Sequence, residues 1–271
     1  MASVTPGTHA EPLDVGVLQQ LLTTKTFGRP LYLLAQTAST NDVAKNLAQR
    51  GAPEGLVVLA EQQTHGRGRQ GRTFVSPAGV GIYLSLVVRP QADPTRLPPL
   101  TLMVAVATAT AIAEVGTLPI RLKWPNDVEI DGKKVAGILT EAIIHPWGPP
   151  SVVIGIGINV NTALAQFPPA LQLRVTSLAL ATGHAVSRHQ LIARLLAHLE
   201  SLYHTFQQVG IAPILPQWLH YGQIVGRRVR FSEASSVREG TVIGLQEDGA
   251  LQVQTADGPC QRVISGDVVF L

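Results

Sequence analysis

Apolar and polar positions alternate or recur along this chain in a pattern that predicts strands near its start and middle and one long helix late. Leu31 to Leu34, Leu56 to Ala60, Gly81 to Val88, Ile120 to Lys123 and Val152 to Ile158 are short, mostly apolar runs bounded by turn residues, the signature of strands. Val128-Glu129-Ile130 and Lys134-Val135-Ala136 flank Asp131-Gly132, a strong short hairpin signal. Leu13 to Thr24 predicts a short helix. Ser39-Thr40-Asn41-Asp42 opens another, which carries Val43, Ala44 and Leu47 and stops at Gly51. Leu100 to Val115 is apolar and rich in Ala and Thr, which predicts a buried helix; it is too short for a bilayer, which takes about 20 residues. Ser187 to Phe206 predicts the clearest helix. It opens with Ser187 and Gln190 as a capping box and repeats Leu191, Leu195, Leu199, Leu202 and Phe206 at helical spacing.

Near Gly222 the texture changes. From Arg227 onward, short alternating runs are split by Glu247-Asp248-Gly249, Asp257-Gly258-Pro259 and Ser265-Gly266-Asp267. This predicts a small all-β unit, a barrel. We therefore expect two domains, residues 1–222 and 223–271. Met1 to Glu11 reads as a loose start.

Composition narrows the class. The chain has 271 residues, 45% of them hydrophobic and 14% charged, enough for a sizeable core. Its formal charge is 21 − 18 = +3, so it is not coated in basic residues. One cysteine, Cys260, excludes an internal disulfide framework and suits a reducing compartment. No basic segment followed by an apolar run opens the chain, so a cytoplasmic protein is expected.

Against that near-balanced background, Gly66-Arg67-Gly68-Arg69-Gln70-Gly71-Arg72 stands out. Glycine disfavours helix by about 1 kcal/mol per residue, so the segment reads as a loop. Its glycines let the backbone approach a ligand, and its arginines grip phosphate or carboxylate oxygens in pairs. It could equally be a solvated basic turn or a nucleic-acid contact. Three other polar clusters sit at strand ends or in loops. Ser39-Thr40-Asn41 reads most simply as a helix cap. Lys123-Trp124-Pro125-Asn126-Asp127, with Lys133 and Lys134 across the hairpin, could be only a turn with surface lysines. Gly155-Ile156-Gly157-Ile158-Asn159 lacks the third glycine of a dinucleotide fingerprint and reads as strand packing. No Gly-x-x-x-x-Gly-Lys-Ser/Thr loop and no Gly-x-Ser-x-Gly turn occurs, and the eight histidines show no zinc-ligand pairing with cysteine.

Taken in order, Ser-Thr-Asn, Gly-Arg-Gly-Arg-x-Gly-Arg, Lys-Trp-Pro-Asn-Asp, Lys-x-Ala-Gly-Ile-Leu-x-Glu and Gly-Ile-Gly-Ile-Asn resemble the biotin protein ligases. The likeness runs from about Leu31 to Leu271 and is to the ligase-only type, without an N-terminal DNA-binding domain. It implies an α+β fold: a mixed β-sheet flanked by helices, related to class II aminoacyl-tRNA synthetases, plus a small C-terminal Src-homology-3-like barrel. It implies biotin and ATP as substrates, Mg²⁺, a biotinyl-5′-AMP intermediate, and transfer to a lysine of a biotin carboxyl carrier domain. A homodimer is also implied, with no part for DNA or membrane.

The resemblance further implies roles. Ser39, Thr40, Asn41 and Gln63 would meet biotin's urea. Arg67, Gly68 and Arg69 would wrap its tail and the phosphate, with Gly137, Gly155 and Gly157 also on the biotin side. Lys134 would bridge carboxylate and α-phosphate and, with Arg69, carry catalysis. Arg67, Arg69, Arg72, Phe74, Lys123, Asn126, Lys134 and Asn159 would meet ATP or the adenylate, and Asp127 would lie near Mg²⁺ or the incoming lysine. Two departures are visible: Gln70 replaces a common arginine and Phe74 a frequent tryptophan. The alternatives are a lipoate ligase, which also forms an acyl-adenylate, and a nucleic-acid-binding module.

Overall fold

Strand register gives the central sheet two unlike faces. The computed structural model describes residues 11–91, 97–144, 150–233, 236–256, 258–264 and 268–271. The first ten residues, and with them most of the expected loose start, Asp257 and the expected turn residues Ser265-Gly266-Asp267 lie outside them. Chain order is α1 (Val15–Leu21), β1 (Leu31–Leu34), α2 (Thr40–Gln49), β2 (Val57–Ala60), β3 (Gly81–Val88), α3 (Leu100–Ala113) and β4 (Ile120–Lys123). There follow β5 (Asp127–Ile130), β6 (Lys133–Ile143), β7 (Ser151–Asn159), α4 (Leu178–Thr182), α5 (Arg188–Val209) and α6 (Leu215–Gly222). The first seven strands form one mixed sheet in the order β1-β2-β3-β7-β6-β5-β4, with β1 and β2 parallel and the other pairs antiparallel.

Side chains alternate across a strand. On β3 and β7 the residues Ile82, Leu84, Leu86, Val152, Ile154, Ile156 and Ile158 all face the main core, beneath α3 and α5. Replacing one of these isoleucines with alanine would cost about 2–5 kcal/mol. The opposite face behaves differently. Under α2 it is apolar, with Val87 and Val153 packed against Ala44 and Ala48. Farther along β7 its positions are Gly155, Gly157 and Asn159, so the side chains shrink and a hollow opens beside α2.

Local signals match the chemistry in several places. Asp131 and Gly132 both take positive φ, +50° and +71°, as the tight hairpin between β5 and β6 requires. Gly51 follows α2 at φ +87°. The hydroxyl of Ser187 accepts from Gln190 N–H at 3.4 Å to start α5. The predicted helix from Leu13 to Thr24 is a correction: only Val15–Leu21 is helical, capped by Asp14, which accepts from Val17 N–H. Its would-be ends are engaged elsewhere. Leu13 N–H goes to Glu61, Asp14 N–H to His189, and the Thr24 hydroxyl to Phe27 O. Helix α6, with buried Trp218, was not foreseen; Pro213 and Pro216 break up its pattern.

The C-terminal strands are β8 (Arg228–Glu233), β9 (Ser236–Leu245), β10 (Leu251–Gln254), β11 (Gln261–Val263) and β12 (Val268–Phe270). They pair antiparallel in the order β11-β10-β9-β8-β12. The turn before β10 touches the first unit: Trp124 Nε1 donates to Gly249 O at 3.1 Å, and Trp124 is buried. Among the described residues, no helix is long and apolar enough to cross a membrane.

Candidate active site

The hollow beside α2 is a cavity of about 940 Å³, large enough for two small ligands side by side. Trp124, Pro125 and Lys133 of the sequence clusters do not line it, but every residue to which the resemblance assigns a role does: Ser39, Thr40, Asn41, Gln63, Arg67, Gly68, Arg69, Arg72, Phe74, Lys123, Asn126, Asp127, Lys134, Gly137, Gly155, Gly157 and Asn159. They come from five separate stretches of chain. Six cationic side chains line the cavity, Arg67, Arg69, Arg72, Lys123, Lys134 and Arg174, against two carboxylates, Asp127 and Glu129. That balance favours an anionic ligand.

Glycines set the floor. Gly137 and Gly157 are cross-strand partners on β6 and β7. A Cβ on Gly157 would lie 2.6 Å from Phe74 Cε1, and one on Gly137 would lie 2.9 Å from Lys134 Nζ. A Cβ on Gly155 would lie 2.2 Å from Asn41 Oδ1. Gly155-Ile156-Gly157 is thus not plain strand packing. Its isoleucine serves the core and its glycines make room on the other face.

The first turn of α2 forms one wall. Ser39 occupies the cap position, but its side chain makes no capping hydrogen bond. The amide of Gln63 caps instead: Oε1 accepts from Thr40 N–H at 2.9 Å and from the Thr40 hydroxyl at 3.1 Å, while Nε2 donates to Ser76 Oγ. The reading of Ser39-Thr40-Asn41 as a self-sufficient cap is corrected here. A cap drawn from a distant loop leaves the Ser39 hydroxyl on the cavity wall. Asn41 is tied down at both ends of its amide. Oδ1 accepts from Ser85 Oγ at 2.6 Å, and Nδ2 donates to Glu141 Oε2 at 2.7 Å and Leu139 O at 3.4 Å.

The arginine loop forms a small hairpin on the cavity wall, with an antiparallel bridge between Arg67 and Thr73. Gly68 N–H donates to Arg72 O at 2.7 Å and Phe74 N–H to Gly66 O at 2.9 Å. Gly66 itself must be glycine, since a Cβ there would stand 2.3 Å from Phe74 O. Arg69 Nη1 reaches Asn126 Oδ1 at 3.4 Å. Arg67 Nη2 is held by Asp42 Oδ1 at 2.6 Å and Glu141 Oε2 at 3.1 Å.

Lys134 Nζ lies 2.7 Å from Asp127 Oδ1 and 6.0 Å from the centroid of the Phe74 ring. Its backbone is fixed by a neighbouring strand-like segment: Lys134 N–H donates to Arg174 O, and Thr176 N–H to Lys134 O. Asn126 clasps Ile138, donating through Nδ2 to its carbonyl and accepting its N–H at the backbone oxygen. Lys123 pairs with Glu129, and Asn159 Nδ2 donates to Thr176 O.

Four participants have no site role from sequence reasoning, although Glu141 ends the quoted Lys-x-Ala-Gly-Ile-Leu-x-Glu motif. Ser85 braces Asn41 and Thr40; the signal was a lone hydroxyl in an otherwise apolar strand. Glu141 gathers Asn41, Lys45 and Arg67. Burial alone would raise its pKa, but hydrogen bonds from Lys45 and Asn41 and the charges of Lys45 and Arg67 outweigh that and hold it below the ordinary carboxylate range. Asp42 had been read only as a helix-opening residue. The segment from Phe167 to Val175, which supplies a further wall, carries no periodic signal.

Comparison with known proteins adds to this geometry. Residues 33–161 match the family model described as the biotin/lipoate A/B protein ligase family, and residues 224–271 the one described as the biotin protein ligase C terminal domain. The bifunctional ligase/repressor BirA of Bacillus subtilis is 36% identical over 247 residues, covering 91% of this chain and 76% of the relative. The biotin–[acetyl-CoA-carboxylase] ligase of Paracoccus denitrificans is 35% identical over 247 residues, covering 88% of this chain and 99% of its own. Among solved structures, a biotin protein ligase from Aquifex aeolicus in complex with biotin and ATP aligns with a TM-score of 0.75 at 28% identity. That alignment covers 89% of this chain and 98% of the other.

Proposed function

The chain belongs to the biotin protein ligase family, and we propose that it joins biotin to a lysine of a biotin carboxyl carrier domain by way of biotinyl-5′-AMP. It is a ligase. In the first step a biotin carboxylate oxygen attacks the α-phosphorus of ATP, and pyrophosphate leaves. In the second, the neutral ε-amine of the acceptor lysine attacks the acyl carbon of the mixed anhydride, AMP leaves, and the nitrogen loses a proton.

Both first-step reactants are anions that repel each other, so catalysis rests on positioning and positive charge. The observation that carries the reading is the meeting of Lys134, Arg69 and the α2 wall in one cavity. Lys134 lies at the centre, between the glycine floor and Asn126-Asp127, where a carboxylate and an α-phosphate would meet. The arginine hairpin would cover the adenylate and exclude water. The Ser39 hydroxyl and the second N–H of the Gln63 amide suit a urea, while Thr40 holds Gln63 in place. Asn41, committed to Ser85, Glu141 and Leu139, supports that wall rather than reading the ligand. Phe74 offers a ring for base packing.

The donor set agrees with a substrate-carried Mg²⁺. Mg²⁺ commonly sits on substrate phosphates with one or two carboxylates, and Asp127 stands on the cavity wall beside Lys134. Asp127 would be the protein's contribution, and the ion would neutralise the β- and γ-phosphates.

Competition between biotin and lipoate in ATP–pyrophosphate exchange tests the assignment. Exchange driven by biotin supports it. Exchange driven by lipoate alone would move the protein to the lipoate branch of the same family.

A further inference from the structure

The guanidinium of Arg67 is spoken for by two protein carboxylates, one on each of two rigid elements. Arg67 Nη2 meets Asp42 Oδ1, on the first turn of α2, at 2.6 Å and Glu141 Oε2, on β6, at 3.1 Å. Glu141 is itself fixed, since it accepts from Asn41 Nδ2 at 2.7 Å and pairs with Lys45. The hairpin that Arg67 belongs to lines the cavity through Arg67, Gly68, Arg69, Arg72 and Phe74. Elsewhere in the same hairpin Arg69 Nη1 reaches Asn126 Oδ1 at 3.4 Å, and at its base Thr64 N–H and His65 N–H donate to Thr37 O and Ala38 O, each at 2.9 Å. Charge-assisted arginine–carboxylate bonds are shorter and stronger than neutral ones.

We infer that Asp42 and Glu141 form a two-carboxylate latch that holds the arginine hairpin shut through Arg67, and that they set how long a bound adenylate is retained without touching it. Both are positioning residues. The adenylate part of this inference rests on the proposed function; the hairpin part does not. The side chains of Arg67 and Asp42 are 39% and 53% exposed, so the latch is modest in strength and screened by salt. A weak latch suits a cover that must open in every turnover.

The test uses the full chain with all its arginines in place, because the hairpin carries its own reporters: trypsin should cut after Arg67, Arg69 or Arg72 faster the more often the hairpin leaves the body. Asp42→Asn is the deciding variant, since Glu141→Gln also strips Lys45 of its partner. Cleavage of the ligand-free Asp42→Asn protein is expected to be about threefold to fivefold faster than wild type at low salt, the size of a partly exposed ion pair. The difference should vanish near 1 M salt, and Asp42→Glu should restore slow cleavage. With biotin and MgATP, biotinyl-AMP release should quicken by a similar factor while its rate of formation stays within about twofold. Equal cleavage rates overturn the latch. So does faster cleavage that persists unchanged at high salt, because that reports a weaker helix. If wild type forms no adenylate, the proposed function fails while the cleavage result still judges the latch.

Discussion

Gly137 and Gly157 sit directly opposite each other on β6 and β7, and the ring of Phe74 lies in the trough left by the Cβ that Gly157 lacks. The trough connects sequence to chemistry, because only a backbone without side chains lets a loop residue and Lys134 lie flat on the sheet. Gly157→Ala puts a methyl group 2.6 Å from Phe74 Cε1. The ring is carried on a loop, so we predict a folded protein with a displaced hairpin. Biotin-dependent pyrophosphate exchange should fall by about tenfold or more, since small misplacements at a reacting centre are costly. Adding Phe74→Leu should recover part of it. Normal exchange in the single variant would show that the trough is irrelevant.

The hairpin from Thr64 to Phe74 should gain order when the cavity fills. Amide hydrogen exchange across these residues is expected to slow on adding biotin and MgATP, with little change in β3 or β7, which lie in the core. Equal protection with and without ligand would count against a cover that closes over the intermediate.

Trp124 links the Lys-Trp-Pro-Asn-Asp stretch to the C-terminal sheet through Gly249 O. Trp124→Phe keeps most of the ring but leaves that carbonyl without its donor. A loss of about 1–3 kcal/mol is expected in denaturant unfolding. Activity should fall as well, because only Pro125 separates Trp124 from Asn126 and Asp127. An unchanged midpoint would mean that the contact contributes nothing.

Acid should loosen the fold in a defined direction. Glu141 titrates below the ordinary range, as described above. Glu200 does so too: burial would raise it, but it accepts three backbone N–H groups, from Lys25, Thr26 and Phe27. A carboxylate whose folded pKa is depressed stabilises the fold fully above its unfolded value, about 4.3 for Glu, and that contribution is lost as pH falls through the folded value. Unfolding stability should therefore drop below about pH 4.3, and Glu200→Gln should flatten part of that drop. Identical pH profiles for the variant and wild type would contradict the assignment.

Much of this was legible from residue pattern alone. The strands Leu31–Leu34, Gly81–Val88 and Ile120–Lys123 follow from short apolar runs between breakers, and the turn at Asp131-Gly132 follows from the need for positive φ. The glycines of the floor were visible as residues, but their purpose was not, because the space they clear belongs to Phe74, Lys134 and Asn41 from other segments. The roles of Ser85, Asp42 and Glu141 are hidden for the same reason, although Asp42 and Glu141 stand in the quoted motifs. Their meaning lies in partners 44, 25 and 74 to 100 residues away. Ser39 looked like a cap because local sequence cannot reveal that Gln63, 23 residues on from Thr40, takes that role.

The central claim is that Lys134 lets two repelling anions meet in this cavity. Labelled biotin, MgATP and a carrier domain, incubated with wild type and with Lys134→Ala, test it most directly. Wild type should label the carrier. Lys134→Ala should melt near the wild-type temperature yet transfer at least about a hundredfold more slowly. Wild-type transfer by a folded Lys134→Ala enzyme would contradict the account.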